Sequence, residues 1–135
     1  MRNPSFEDVP RRGVAGCAPI AEWSDCGLIE FTNQSPPDIH PSDAAIWDVT
    51  MRAQDGKTFL GLVTRSDASW ESVSQQLPTA LQPDSCYSFQ LYLGLTPAFK
   101  SATARSREKR EDFSNVITLQ IWGGDTPCHK KELLG

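Results

Sequence analysis

No run of this chain approaches the roughly 18 consecutive apolar residues that a membrane-crossing helix needs. Basic charge is also in short supply. Lys and Arg number 13 against 17 Asp and Glu, a net charge of −4, whereas a nucleic-acid partner asks for a basic surface. The one basic cluster, "RSREKRED", carries its own acidic residues and reads as a solvated loop. Histidine is scarce, and neither His40 nor His129 sits at zinc-finger spacing from a cysteine. No Cys-x-x-Cys pair occurs, so a structural zinc site is not expected. The GxSxG nucleophile elbow, the HExxH zinc motif and the phosphate-cradling glycine loop are all missing, which leaves little room for an enzyme. The opening "MRNPSFEDVP" has no apolar core of the kind that marks a signal peptide. Two readings stay open there: a cytosolic protein, or a secreted one whose leader has been removed.

What the chain does contain is strand signal. With 135 residues, 39% of them hydrophobic, it is long enough for one domain with a core. "IWDVTMRA" (46–53) alternates, with Trp47, Val49 and Met51 on one face. Asp55-Gly56 follows, a strong hairpin signal. "TFLGLVTR" (58–65) is apolar on both faces, as in a strand between layers. "WESVSQQL" (70–77) sends Val73 and Leu77 inward and Trp70, Ser72, Ser74 and Gln76 outward. "CYSFQLYLGL" (86–95) sets Tyr87, Phe89, Leu91 and Leu93 on one face and Gln90 and Tyr92 on the other. "VITLQIWGG" (116–124) has Ile117, Leu119 and Ile121 inward, with Gln120 and Trp122 outward. Strands separated by turns predict an all-β fold, an antiparallel β-sandwich. Residues 9–45, including "QSPPDIHPSD", read as irregular, because proline has no N–H for a central ladder. Residues 96–115 read as a long loop with a short helix.

If the last two strands are neighbours, Gln90, Tyr92, Gln120 and Trp122 form a patch of two amides and two aromatics. A flat ring stacks on the apolar face of a sugar while amides serve its hydroxyls. The same rings, and Trp70 with them, would equally serve as core if residues 9–45 cover them. Asp38, His40 and Asp43 lie close in sequence and could hold a metal, or cap turns in a proline-rich loop. Glu71 with Asp67 offers a pair of carboxylates, but nothing sets the spacing of about 5 Å or more that glycoside hydrolysis needs. Cys128 and His129, as neighbours in an extended chain, point to opposite faces.

Four cysteines, an even count in a strand-rich domain, favour disulfides and an oxidising compartment. With strands 86–93 and 116–122 adjacent and antiparallel, Cys86 would meet Cys128, leaving Cys17 for Cys26. Each pair must come within about 7 Å between Cα atoms.

The stretch "DGKTFLGLVTRSDASWESVSQQL…LQPDSCYSFQLYL" resembles the jelly-roll carbohydrate-binding modules of families 4, 9 and 22, within the galactose-binding-like fold. The matching residues are Asn3, Ser5, Phe6 and Glu7, then Gly56, Lys57, Phe59, Leu60, Val63 and Arg65. Trp70, Gln76, Leu77, Leu81, Tyr87 and Phe89 follow. Asp84 stands where those modules usually have glycine. "WSDCG", "SPPDIHP", "CYSF" and "IWGG…CHKKELL" also look like a domain of secreted or outer-membrane proteins of Bacteroidetes-type bacteria. The resemblance implies a sugar site using Arg65, Trp70, Tyr92 and Trp122. It also implies a structural calcium ion held by Glu7 and by backbone oxygens near Gly56 and Lys57, oxygen ligands that suit a hard cation. The modules' final strand has no counterpart before Gly135, so either the fold closes differently or the chain is a fragment of a longer module.

The expectation is therefore a non-catalytic glycan-binding module, secreted, periplasmic or at the cell surface, and part of a larger multidomain protein. Its partner is a polysaccharide or glycan, with no nucleic acid and no membrane insertion. Its site residues are Trp70, Tyr92, Trp122, Gln90, Gln120 and Arg65. The rival expectation is a structural or adhesion sandwich that assembles with other proteins and binds no sugar.

Overall fold

The computed structural model describes residues 1–13, 19–26, 37–64, 70–96, 100–103, 106–112 and 116–135. Eight strands organise them: β1 (Ser24–Asp25), β2 (Asp38–Pro41), β3 (Thr58–Gly61), β4 (Val73–Ser74), β5 (Lys100–Thr103), β6 (Ser106–Asp112), β7 (Trp122–Gly123) and β8 (Glu132–Leu133). They pair antiparallel in four two-stranded sheets, β1–β4, β2–β3, β5–β6 and β7–β8. No helix occurs among the described residues. The chain is all-β, built of short strands.

The best-buried element comes from the proline-rich stretch, which corrects the reading of that stretch as unable to pair centrally. Ile39, fully buried, faces Leu60 across the β2–β3 ladder. On its other side it exchanges both backbone hydrogen bonds with Arg11, each 2.9 Å long. Proline breaks a ladder only where its own N–H is needed. Here Pro37 precedes the strand and Pro41 closes it opposite Thr58, so the N–H of Ile39 is free to pair. Ile20, Ile39 and Val49 are the buried apolar residues among those described.

Polar side chains pin neighbouring segments to this hairpin. Asp38 Oδ1 accepts the backbone N–H of Gly13 (2.6 Å) and the indole N–H of Trp47 (3.2 Å). His40, 2% exposed, stacks on its cross-strand partner Phe59 with ring centroids 5.2 Å apart. Its Nε2 lies 3.9 Å from Asp38 Oδ2. Gly61 leaves room for that ring, since a Cβ there would collide with His40 Nε2.

Several sequence expectations change. Residues 46–53 do not form one strand. Ile46 bridges Val49 around Trp47 (φ 56°) and Asp48 (φ 63°), two left-handed residues in the manner of a tight hairpin turn. A non-glycine residue pays about 1–2 kcal/mol for that conformation. The bond from Trp47 to Asp38, and the guanidinium of Arg12 stacked 4.2 Å from the Trp47 ring, offset the cost. The Asp55-Gly56 bend is present, with Gly56 at φ 75°. The strand after it, β3, pairs with β2 rather than with 46–53, and a Ser42 N–H to Lys57 O bond of 2.9 Å closes the intervening loop.

Within residues 96–115, where the sequence predicts a loop with a short helix, β5 and β6 pair antiparallel. The charge run lies along β6, with a register shift between Ala102 and Thr103. A strand whose side chains are charged on both faces has no apolar alternation to reveal it. The reverse happens at 86–95 and 116–121. Their alternation predicts strands, yet neither forms a ladder among the described residues. Tyr87, Phe89, Tyr92, Leu93, Ile117 and Leu119 are exposed. Of the predicted last strand, Trp122 and Gly123 pair with β8, and Ile121 exchanges backbone hydrogen bonds with Leu134 and Gly135 beyond it.

Candidate functional site

The disulfide organises one end of the molecule. Cys26, directly after β1, is bonded to Cys128, with Cα atoms 5.3 Å apart and within the range a disulfide requires. Cys86 is a free, exposed thiol, so the expected Cys86–Cys128 pair is corrected. That pairing needed 86–93 and 116–122 to be neighbouring strands, and they are not. Cys17 lies outside the described residues, and with Cys26 taken the expected Cys17–Cys26 pair does not form. The bond is seated by two hydrogen bonds: Cys26 N–H to Ser72 O (2.8 Å) and Cys128 N–H to Ser74 Oγ (3.0 Å). It therefore ties the β7–β8 hairpin to the β1–β4 pair.

Two of the expected sugar-site aromatics flank this tie. Trp70 bridges Thr64, and its ring, 38% exposed, has Lys130 Nζ 5.2 Å from its centroid. Trp122 is held by β7 opposite Leu133 and is equally exposed. Its indole N–H donates to Gln120 Oε1 at 3.4 Å. Tyr92 is exposed at 68% and Gln90 is exposed. No pairing among the described residues joins their segment to that of Gln120 and Trp122. Arg65 lies outside the described residues.

Glu7, expected to hold calcium with Gly56 and Lys57, sits against that turn. Its Oε1 accepts the backbone N–H of Lys57 (2.8 Å) and of Thr58 (3.0 Å), and the Thr58 hydroxyl (3.3 Å). These donors, Thr58 N–H first, hold its carboxyl below the usual carboxylate range. The Lys57 carbonyl accepts from Ser42, and a side chain at Gly56 would strike Glu7. N–H groups aimed at one oxygen suit an anion, and this donor set does not fit a cation that seeks oxygen ligands. No role for calcium is derived. Among the described residues no group of three or more His, Cys, Asp and Glu could hold a metal. Asp38 and His40 are buried together, while Asp43 is exposed. Glu71 is buried, and its Oε2 accepts the N–H of Val63 at 3.1 Å, a structural duty. Asp67 lies outside the described residues.

Sequence reasoning missed a cleft of about 670 Å³ between the amino-terminal segment, β1 and the residues after β4. Gln75 builds it. The backbone N–H of Arg2 donates to Gln75 Oε1 (2.8 Å), while Gln75 Nε2 donates to Arg2 O (2.6 Å) and Glu22 O (3.0 Å). Trp23 turns its ring onto Phe6, centroids 4.6 Å apart, and gives its N–H to Asn3 O at 3.0 Å. The only sequence hint was Gln76 on an outward-facing strand position, which cannot say what lies across from it.

Comparison with protein-family models, curated proteins and solved structures finds no match in any of the three. The functional reading rests on the chemistry of these surfaces. No described helix is long and apolar enough to cross a membrane.

Proposed function

We propose that this chain is a non-catalytic glycan-binding module of a secreted or surface protein, its hairpins belonging to a jelly-roll-type sandwich. The observation that supports this reading is the pair of half-presented indoles, Trp70 and Trp122, each 38% exposed on backbone fixed by pairing. A pyranose stacks its C–H face on such a ring. Lys130 beside Trp70 and Gln120 beside Trp122 supply donors and acceptors for the hydroxyls at the rim. Tyr92 and Gln90 extend the surface if a long polymer lies across it. The disulfide supports an oxidising compartment.

Affinity gel electrophoresis against soluble plant and bacterial polysaccharides, with and without chelator, tests the reading. Retardation by one polymer class that falls in both Trp70→Ala and Trp122→Ala is the expected result. Unchanged mobility of the folded protein in every gel would remove it.

One observation favours a second reading, assembly with another protein. Tyr87, Phe89, Leu93, Leu95, Val116 and Ile117 are all at least half exposed or close to it, and exposed apolar surface that is contiguous marks a docking face. Concentration-dependent sedimentation without any polysaccharide retardation is the outcome that this reading predicts.

A further inference from the structure

The composition of the cleft beside β1 and β4 selects its ligand. Of its lining residues only Arg2 and Glu22 are charged. They pair at 3.3 Å with side chains 68% and 50% exposed, so the cleft presents no net field to an anion or a cation. Trp23 and Gln75 have their polar atoms occupied by Asn3, Arg2 and Glu22 and serve as wall. Gln76 also lines the cleft, and its amide makes no hydrogen bond among the described residues. Trp23, Leu77 and Pro78 line the same cleft. It thus combines apolar wall with an amide, a carboxylate and a guanidinium. The volume falls within the roughly 300–1,000 Å³ of small-ligand sites.

We infer that this cleft binds a neutral oligosaccharide. A sugar ring lies against Trp23, Leu77 and Pro78, and its hydroxyls bond Gln76, Glu22 and Arg2. A hydroxyl donates to Glu22 and accepts from Arg2 at once, so a neutral sugar engages the ion pair without breaking it. A zwitterionic peptide terminus would have to part the pair first. The ligand class rests on the glycan reading above, but the place is separate from Trp70 and Trp122.

Titration calorimetry of the full chain with β-linked hexaoses of glucose, xylose and mannose, and with triglycine, tests the inference. Gln76→Ala and Glu22→Gln should each weaken binding of one hexaose about five- to tenfold, the loss of one or two hydrogen bonds. Lys131→Ala, outside the cleft lining, should leave it unchanged. The Trp23 indole and Gln76 amide resonances of the wild-type protein should shift as that hexaose is added, a readout that needs no variant. The inference is overturned if Gln76→Ala and Glu22→Gln keep wild-type affinity while Trp122→Ala removes binding. It is overturned equally if triglycine alone binds, or if no hexaose moves either resonance. Polysaccharide retardation in the gel assay separates these failures from failure of the glycan reading itself.

Discussion

Replacing Cys26 and Cys128 together by serine removes a cross-link that spans 102 residues of sequence. In the chain-entropy account, closing a loop of that size destabilises the unfolded state by about 4.7 kcal/mol at 25 °C. That is a large part of the roughly 5–15 kcal/mol that holds a typical domain together. The other links at this junction are weaker. The Cys128 N–H bond to Ser74 Oγ and the Lys130 ammonium over Trp70 are each worth about 1 kcal/mol. With an unfolding entropy of about 2.1 cal/mol/K per residue over 135 residues, the double variant should melt about 17 °C lower. Urea unfolding followed by circular dichroism measures the free energy, and amide exchange locates the change. The Lys131 and Leu134 N–H groups, bonded to Gly123 O and Ile121 O, should lose protection before those of β2–β3. Cys86→Ser, which leaves this bond intact, should change nothing. A loss below about 1.5 kcal/mol would refute the reasoning, as would an equal loss in Cys86→Ser.

Asp8 is held down to about 2, chiefly by the Arg11 guanidinium hydrogen bond and then by the N–H groups of Ala21 and Val9, against the opposing effect of burial. Its stabilisation is therefore complete above the ordinary value of 3.8 and lost as pH falls toward 2. Asp8→Asn should cost about 1–2 kcal/mol at neutral pH and flatten the acid limb of an unfolding titration. His40 is displaced the other way relative to its charge. Burial lowers it below 6.5, and the Asp38 carboxylate only partly opposes this. The unfolded chain thus takes up the proton first, and stability should fall as pH drops below 6.5. Melting curves should show that slope in the wild type and lose it in His40→Gln. Asp84 occupies φ 57°, so Asp84→Val should lose about 1–2 kcal/mol, while Asp84→Gly should stay within about 0.5 kcal/mol of wild type, both read from urea midpoints. Ile39→Ala, at a fully buried site, should cost about 2–5 kcal/mol in the same assay.

Local chemistry was legible where one residue type has one physical use. The Asp55-Gly56 bend is an example. Partners across sequence were not legible. Alternation says that a segment is extended but not which segment it meets, so β3 was assigned the wrong neighbour and Cys128 the wrong cysteine. Proline was read as a breaker, although Pro37 and Pro41 bracket a strand rather than interrupt it. The charged β6 was invisible for want of any apolar face. The cleft lay beyond reach for the same reason as the disulfide, since it joins Arg2, Glu22 and Gln76 through contacts that no local pattern encodes.

Much of the long-range order rests on single polar side chains that satisfy the backbone of remote segments. Glu7 serves Lys57 and Thr58, Asp38 serves Gly13, Glu71 serves Val63, and Gln75 serves Arg2 and Glu22. Losing such a group strands the backbone donors or acceptors it satisfied, and a buried unpaired group costs more than the bond itself was worth. Gln76 carries no such duty among the described residues, and the Trp122 indole N–H donates to the amide two residues before it. Two adjacent glutamines of one type therefore have opposite roles. Gln75 turns its amide onto backbone and builds the wall, while Gln76 leaves its amide to solvent and is free to meet a ligand. On the proposed glycan reading, binding and folding are separable to the extent that these duties fall on different side chains.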